Sequence, residues 1–455
     1  MRIKLFSPFW MPVWFFAGAI LAGASLLAFD PGLAEQNLSW IDAVFTATSA
    51  MCVTGLVVVD TGSAFSHFGQ MVILVLIQLG GLGIMTFTSL AMYLMGRHVS
   101  LSDRISVGQS LLHDPRFSLR NFLFRVICIT FGIELVGAML LWLVDPQGFH
   151  PYSALFHSIS AFCNAGFSLY ADSLSAWHSN WSINFIFMAL ITLGGLGFYV
   201  LNECGGLLTH EVRARLSGKR GERPSLSWHS SVVLRTSVLL SLGGAAAIFT
   251  AELFGGESFG IWHEELLSAL FQSVTCRTAG FNTVDIAHMT NVSLVFMLFL
   301  MLVGGSPGSC AGGIKTTTLR AVWGFICAQF AGRQQTVIGK KALASSSMNK
   351  AFTLLVFAGF IVAGGAIILN ISEGGDVPHI QARGNFLEIL FEVISAYGTV
   401  GLSTGMTGKL TSLGKVVVIM LMFIGRLGPI WLLSALQSWQ VEQRFRYPER
   451  DLPLG

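Results

Sequence analysis

Ser49-Ala50-Met51-Cys52-Val53-Thr54-Gly55 is echoed along the chain by Ser160-Ala161-Phe162-Cys163-Asn164-Ala165-Gly166, Thr275-Cys276-Arg277-Thr278-Ala279-Gly280 and Ser395-Ala396-Tyr397-Gly398-Thr399-Val400-Gly401. The closing glycines stand 111, 114 and 121 residues apart, so the period fills the 455-residue chain. Each core lies between two apolar stretches and follows a short segment with an apolar face: Val44-Phe45, Leu155-Phe156, Leu270-Phe271 and Leu390-Phe391. These segments begin near Ile41, His150, Ile261 and Asn385. At about 10–14 residues each they are shorter than the ~20 needed to cross a bilayer. Non-helical backbone at membrane depth survives only where protein or a water-filled cavity surrounds it. Four such glycine turns are expected to line one ion path with backbone carbonyls.

Composition agrees. The chain is 53% hydrophobic and 11% charged, with a mean hydropathy of +0.67; soluble domains carry about 25% charged residues. Apolar runs of span length cover 9–29, 71–95, 122–144, 183–201, 232–254, 351–371 and 416–436, and a shorter one covers 292–303. The first has span length and no small-residue cleavage site, so it reads as a span and not as a signal peptide.

Arg2 and Lys4, then Arg97, Arg104, Arg116, Arg120 and Arg125, occupy one set of connections. Arg213, Arg215, Lys219, Arg220, Arg223 and Arg235, then Lys315, Arg320, Arg333, Lys340, Lys341 and Lys350, continue that set, and Arg444, Arg446 and Arg450 end it. The alternate connections hold only Arg383, Lys409 and Lys415, apart from Arg277 inside a core. By the positive-inside rule both termini are cytoplasmic and the short segments enter from outside.

The expected fold is therefore an all-α polytopic membrane protein of four span–pore-helix–span repeats around a pseudo-fourfold pathway. The repeats cover 1–98, 99–212, 213–345 and 346–440, and a cytoplasmic tail covers 441–455.

The second spans keep the period. Leu79-Gly80-Gly81-Leu82-Gly83 aligns with Leu193-Gly194-Gly195-Leu196-Gly197, Val303-Gly304-Gly305-Ser306 and Ile424-Gly425-Arg426-Leu427-Gly428. Small residues let helices approach closely, so Gly80-Gly81 and Gly194-Gly195 read as packing positions. The third copy runs through Gly304, Gly305, Ser306, Pro307, Gly308, Gly312 and Gly313 to Lys315, a stretch too rich in Gly and Pro to stay helical. In the fourth, Arg426 stands where the others have glycine. An arginine in a span is costly and faces an interior cavity. Together the break at 304–313, Lys315 and Arg426 are expected to form a gate below the turns.

These motifs carry a resemblance. Thr48-Ser49-Ala50-Met51-Cys52-Val53-Thr54-Gly55-Leu56, Arg277-Thr278-Ala279-Gly280-Phe281-Asn282-Thr283, residues 304–316, Ile424-Gly425-Arg426 and the closing Arg446-Tyr447-Pro448-Glu449 resemble the Trk/Ktr/HKT superfamily of potassium transporters. Within it they are most similar to the membrane subunits of Ktr-type uptake systems. The resemblance spans nearly the whole chain. It implies potassium as the transported ion, sodium as an activator, a homodimer with one pore per protomer in the cytoplasmic membrane, and a cytosolic ring of regulatory subunits that bind nucleotide. It implies no cofactor on this chain and no nucleic-acid partner. Some members place Ser at the first turn glycine, a change associated with sodium transport; Gly55 favours potassium, with a sodium or poorly selective cation transporter as the alternative.

The backbone carbonyls expected to strip a cation of its water are those of Val53, Thr54 and Gly55, of Asn164, Ala165 and Gly166, of Thr278, Ala279 and Gly280, and of Thr399, Val400 and Gly401. Pore-helix C-termini, each with about half a negative charge, point at the same place. Arg277 is expected to turn aside and bond neighbouring carbonyls.

Enzyme readings fail. Gly304-Gly305-Ser306-Pro307-Gly308 satisfies G-x-S-x-G but interrupts a span instead of joining strand to helix, and Ile314 between Gly313 and Lys315 breaks a phosphate loop. A four-repeat voltage-gated channel is disfavoured because no unit carries a regular arginine sensor. Glu134 and Glu203 lack catalytic partners, and Glu203 reads as a span end. His67, His157, His263, His288 and His379 lack metal-ligand spacing and read as surface or interface residues. Cys52, Cys163 and Cys276 read as small packing residues.

Overall fold

The computed structural model describes residues 10–30, 39–83, 119–217, 225–255, 262–374, 378 and 384–428. Outside them lie Arg2, Lys4, Arg97, Arg104, Arg116, Lys219, Arg220, Arg223, Ile261, His379, Arg383, the far ends of the runs 71–95 and 416–436, and the tail with Arg446-Tyr447-Pro448-Glu449.

The helices are α1 (Met11–Ala28), α2 (Trp40–Met51), α3 (His67–Gly81), α4 (Leu119–Val144), α5 (Pro151–Phe162), α6 (Trp181–Leu196) and α7 (Phe198–Ser217). They continue as α8 (Trp228–Gly255), α9 (Trp262–Thr275), α10 (Asn291–Leu302), α11 (Thr316–Phe330), α12 (Ser345–Gly374), α13 (Asn385–Gly398) and α14 (Ser412–Leu427). A small hairpin, β1 (Val337–Ile338) with β2 (Lys341–Ala342), joins α11 to α12. Among the described residues α8, α12 and the apolar part of α4 are long and apolar enough to cross a membrane, and α6 with α7 forms a bent pair. Leu135, Met139, Phe360 and Ile367 expose their side chains on α4 and α12, as lipid-facing positions do.

The C-terminal ends of the short helices α2, α5, α9 and α13 are buried throughout. Their starts follow from local chemistry. Ser39 and Asp42 form a capping box on α2, which satisfies two otherwise orphaned amides. His150 accepts from the Ser153 amide ahead of Pro151, which opens α5. Glu264 and Glu265 in the first turn of α9 complement its positive end.

Each short helix packs between the longer helices of its own unit, and each second helix also packs on the next short one: α3 on α5, α6 on α9, α10 on α13, α14 on α2. The last contact closes a ring. Lys415 of α14 donates to Asp42 of α2 at 2.6 Å on that seam.

A recurrent clamp orients the second helices. Asp30 accepts from the Ser66 amide and hydroxyl before α3, Glu252 from those of Thr290 before α10, and Glu373 from those of Thr411 before α14.

Four expectations need correction. The run 183–201 is not one straight span: α6 stops at Leu196, Gly197 takes φ +93°, and α7 leaves at 110°. Nor is the break confined to the third copy. Among the described residues α3 stops at Gly81, α10 at Leu302 and α14 at Leu427, with Gly83 at φ +80° and Gly428 at φ +80°. α3, α6 and α14 thus end at one sequence level, where a glycine of positive φ terminates the helix, whereas α10 ends earlier, capped by Val303 with φ −98°. The expected boundary at 212/213 falls inside α7. Glu203 is not a span end either: it lies in α7 and accepts from the Ser227 amide and hydroxyl and the Ser230 hydroxyl, tying α7 to the start of α8.

Candidate functional site

The quoted cores emerge as the turns that follow α2, α5, α9 and α13. In each, two positions have positive φ with a residue of negative φ between: Val53 (φ +55°) and Gly55 (+96°), Asn164 (+60°) and Gly166 (+70°), Thr278 (+73°) and Gly280 (+81°), Thr399 (+50°) and Gly401 (+93°). Alternating handedness brings successive carbonyls to one side of a turn. For β-branched Val53, Thr278 and Thr399 the conformation is strained, by roughly 1–3 kcal/mol each.

The turns meet in a closed ring. A Cβ built on Gly55 would lie 2.5 Å from the Ala165 carbonyl oxygen, one on Gly166 2.7 Å from that of Ala279, one on Gly280 2.5 Å from that of Val400, and one on Gly401 2.1 Å from that of Thr54. The twelve expected residues are thus brought together. The glycines are required both by their φ and by the neighbouring backbone.

The hydroxyl that opens each core braces its turn. Ser49 Oγ accepts from the Gly55 amide at 3.1 Å and Ser395 Oγ from the Gly401 amide at 3.2 Å. Ser160 Oγ donates to the Phe167 carbonyl at 2.8 Å and Thr275 Oγ1 to that of Phe281 at 2.7 Å. Sequence reasoning quoted these four residues without giving them this role; their recurrence at the head of every core was the available signal.

The segment 304–315 lies against the turns. A Cβ on Gly304 would come within 3.1 Å of Thr278 Cγ2, and one on Gly312 within 2.1 Å of Thr399 Oγ1. Gly304, Gly305, Ser306, Gly312 and Gly313 are buried, Gly308 is exposed and Lys315 half-buried. The segment is folded, not slack. Gly304 N donates to Ile314 O at 2.9 Å, Ile314 N to Leu302 O at 3.2 Å, and Lys315 Nζ to the carbonyls of Ala311 (2.7 Å) and Gly312 (3.2 Å).

The segment also docks on the second unit. Ser306 N donates to Gly195 O at 2.9 Å, Cys310 N to Gly194 O at 3.1 Å, and Phe198 N to Gly308 O at 3.0 Å. Sequence reasoning took Gly194-Gly195 as packing only. Gly194 does pack tightly, a Cβ there meeting the Phe162 carbonyl at 1.8 Å. What it missed is that ending α6 frees these carbonyls for the segment.

Arg426, buried, reaches across the ring. Its guanidinium donates through Nη1 to the Cys310 carbonyl and through Nη2 to the Gly80 carbonyl, linking α14 to the segment and to the end of α3. Beside it Gln78 Nε2 donates to Glu134 Oε2 at 3.2 Å, with Cys163 Sγ 3.7 Å from Oε1.

Two local expectations are corrected. Arg277 bonds no neighbouring carbonyl: among the described residues its buried Nε has no partner. The third turn is one residue tighter, with Ala279 N bonding Thr275 O where Thr54, Ala165 and Val400 reach back five residues. Cys276 is buried as Cys52 and Cys163 are, but in this tighter turn it stands four residues before its glycine where they stand three. His157 is not a surface or interface residue: it is fully buried behind the second turn, bonded to Ser153 and Ser168. His67 and His288 are exposed.

A closed ring of glycine turns at the ends of buried helices, inside an apolar helical shell, is the arrangement expected of a protein that passes a cation across a membrane. The chain matches the cation transport protein family TrkH over residues 19–440 and belongs to it; it is a multi-pass membrane transporter and not an enzyme. It is 37% identical to Ktr system potassium uptake protein B of Bacillus subtilis (strain 168), covering 96% of this chain and 94% of that protein. It is 34% identical to potassium/sodium uptake protein NtpJ of Enterococcus hirae, covering 96% and 94%. The crystal structure of the potassium transporter TrkH from Vibrio parahaemolyticus has the same fold, with a TM-score of 0.72 over 96% of this chain and 87% of that one at 20% identity.

Proposed function

We propose that this chain takes up potassium through the ring formed by Thr54, Gly55, Ala165, Gly166, Ala279, Gly280, Val400 and Gly401, with Val53, Asn164, Thr278 and Thr399 completing the filter. It does so as four span–pore-helix–span units about a pseudo-fourfold axis, both termini in the cytoplasm. The observation that carries the reading is the closed set of left-handed turns: carbonyl oxygens replace a cation's water shell, and the helix C-termini above them favour positive charge. Glycine at all four closing positions supports potassium over sodium. Similarity to NtpJ, a potassium/sodium uptake protein, supports the second reading, a less selective monovalent cation transporter.

The segment 304–313 is the gate, held under the filter by Arg426 and Lys315, whose positive charges raise the barrier to a cation there. A cytosolic nucleotide-binding ring subunit opens it, as similarity to a Ktr system protein implies, and sodium stimulates transport. Lys340 and Lys341 are exposed on the β1–β2 hairpin, which Trp228 anchors through Nε1 to Ile338 O at 2.9 Å; pull on this hairpin reaches the segment through α11. A homodimer in the lipid bilayer is the assembly.

Rubidium uptake in potassium-starved cells lacking other uptake systems, with and without sodium, tests this. Saturable rubidium uptake that excess sodium does not abolish is expected. Uptake of sodium in preference to rubidium sinks the potassium reading. Deleting part of 304–313 is expected to raise flux into liposomes without the partner; unchanged flux means the segment is no gate.

A further inference from the structure

Three residues before each bracing hydroxyl, and therefore on the same helix face, the short helices carry Thr46, His157, Gln272 and Glu392, all at most 1% exposed. A polar group that deeply buried needs a partner. Two of them find it on the strand leaving the filter, two residues beyond the turn glycine.

Ser403 Oγ accepts from the Gly405 amide at 3.1 Å and donates to Glu392 Oε2 at 2.9 Å, while Thr407 Oγ1 donates to Oε1. No cation pairs with Glu392 among the described residues. Ser168 Oγ accepts from the Tyr170 amide at 3.0 Å and meets His157 Nε2 at 3.0 Å. Because the Leu169 amide donates to Nε2 and Nδ1 faces the Ser153 carbonyl at 2.8 Å, the ring proton sits on Nδ1 and Ser168 is the donor.

The other two units lack this tie. In the third, both amide atoms of Gln272 are without a partner, and Asn282 turns its Nδ2 to the Val284 carbonyl. In the first, the matching residue is Val57, which has no hydroxyl. The tied strands stand opposite each other, since the ring runs through the units in order.

We propose that Glu392 and His157 are positioning residues for ion selection, acting through Ser403 and Ser168 to hold two opposite filter strands, so that the filter discriminates with twofold and not fourfold rigidity. This rests on the filter reading above. A carbonyl ring selects only as well as its oxygens hold their spacing, and a strand anchored to a buried helix moves less than one that is not.

The test compares Ser403→Ala, Ser403→Thr, Glu392→Gln and Thr46→Val with the parent chain at equal membrane abundance, measuring rubidium and sodium uptake in the same cells. Losing a buried hydrogen bond to a charged group predicts about a tenfold or larger fall in the rubidium-to-sodium ratio of uptake affinities for Ser403→Ala. Glu392→Gln is expected to follow it, the double variant to fall no further than the worse single, and Ser403→Thr to restore the ratio. Thr46→Val keeps the parent ratio. Parent-like ratios in Ser403→Ala and Glu392→Gln, or an equal fall in Thr46→Val, overturn the proposal. A parent that prefers sodium overturns the potassium reading alone, because the change in ratio still reads the brace.

Hydrogen exchange at residues 399–405 of the purified full chain in lipid nanodiscs needs no transport. It is expected to quicken about tenfold or more in Glu392→Gln, and parent-like protection there also overturns the proposal.

Discussion

At Gly55 two independent constraints coincide: φ is +96°, and an added Cβ would sit 2.5 Å from the Ala165 oxygen of the neighbouring unit. Gly55→Ser therefore both strains its own turn and pushes on an adjacent carbonyl. Reduced rubidium affinity with increased sodium competition is expected, measured as inhibition of rubidium uptake by sodium; unchanged competition would refute the assignment. Arg426 is the opposite case, a residue whose worth lies in reach. Arg426→Ala removes donors to the Cys310 and Gly80 carbonyls and a positive charge below the ring. Partner-independent rubidium flux into proteoliposomes is expected to rise several-fold, each 1.4 kcal/mol off the barrier giving a factor of ten. Flux equal to the parent's would show that the arginine only packs.

The second helices α3, α10 and α14 matter as elements because each begins under a clamp and ends at a turn. Glu373 fixes the start of α14 through the Thr411 amide and hydroxyl, and Gly428 fixes its end with φ +80°. Glu373→Gln is expected to lower stability by about 1 kcal/mol, the usual worth of a cap, read as a small fall in the thermal unfolding midpoint in detergent. Ion selectivity is expected to stay at the parent value, because the clamp lies a full helix away from the ring. A changed selectivity would mean that α14 transmits its tilt to the filter.

For the molecule as a whole the decisive seam is the one joining the last unit to the first. Lys415 and Asp42 meet there at 2.6 Å with side chains 17% and 10% exposed. The pair lies 373 residues apart in sequence, so it joins the two ends of the repeat. Asp42→Asn leaves a cation facing a neutral amide and is expected to cost about 2 kcal/mol, within the range for hydrogen bonds to charged groups. In Asp42→Asn/Lys415→Met the loss is expected to be less than the sum of the single losses. Strictly additive losses, measured by thermal unfolding in detergent, would remove this pair from the closure of the ring.

What the sequence alone determined were the features that depend on local chemistry repeated in register. Apolar length, the period of the cores, the left-handed glycines and the lone Arg426 were all legible, because each leaves its mark within a few residues. Partners far apart in the chain were not legible. His157 reads as any polar residue on a short helix until Ser168 is seen against it, and Gly194-Gly195 reads as packing until the segment 304–313 is seen to use its carbonyls. Arg277 shows the converse: its chemistry promised bonds to carbonyls, but among the described residues its buried Nε meets no partner. Periodicity records which residues are alike, whereas hydrogen-bond pairing depends on which groups remain unsatisfied once the chain has closed its ring. Only the tertiary structure holds that second kind of information.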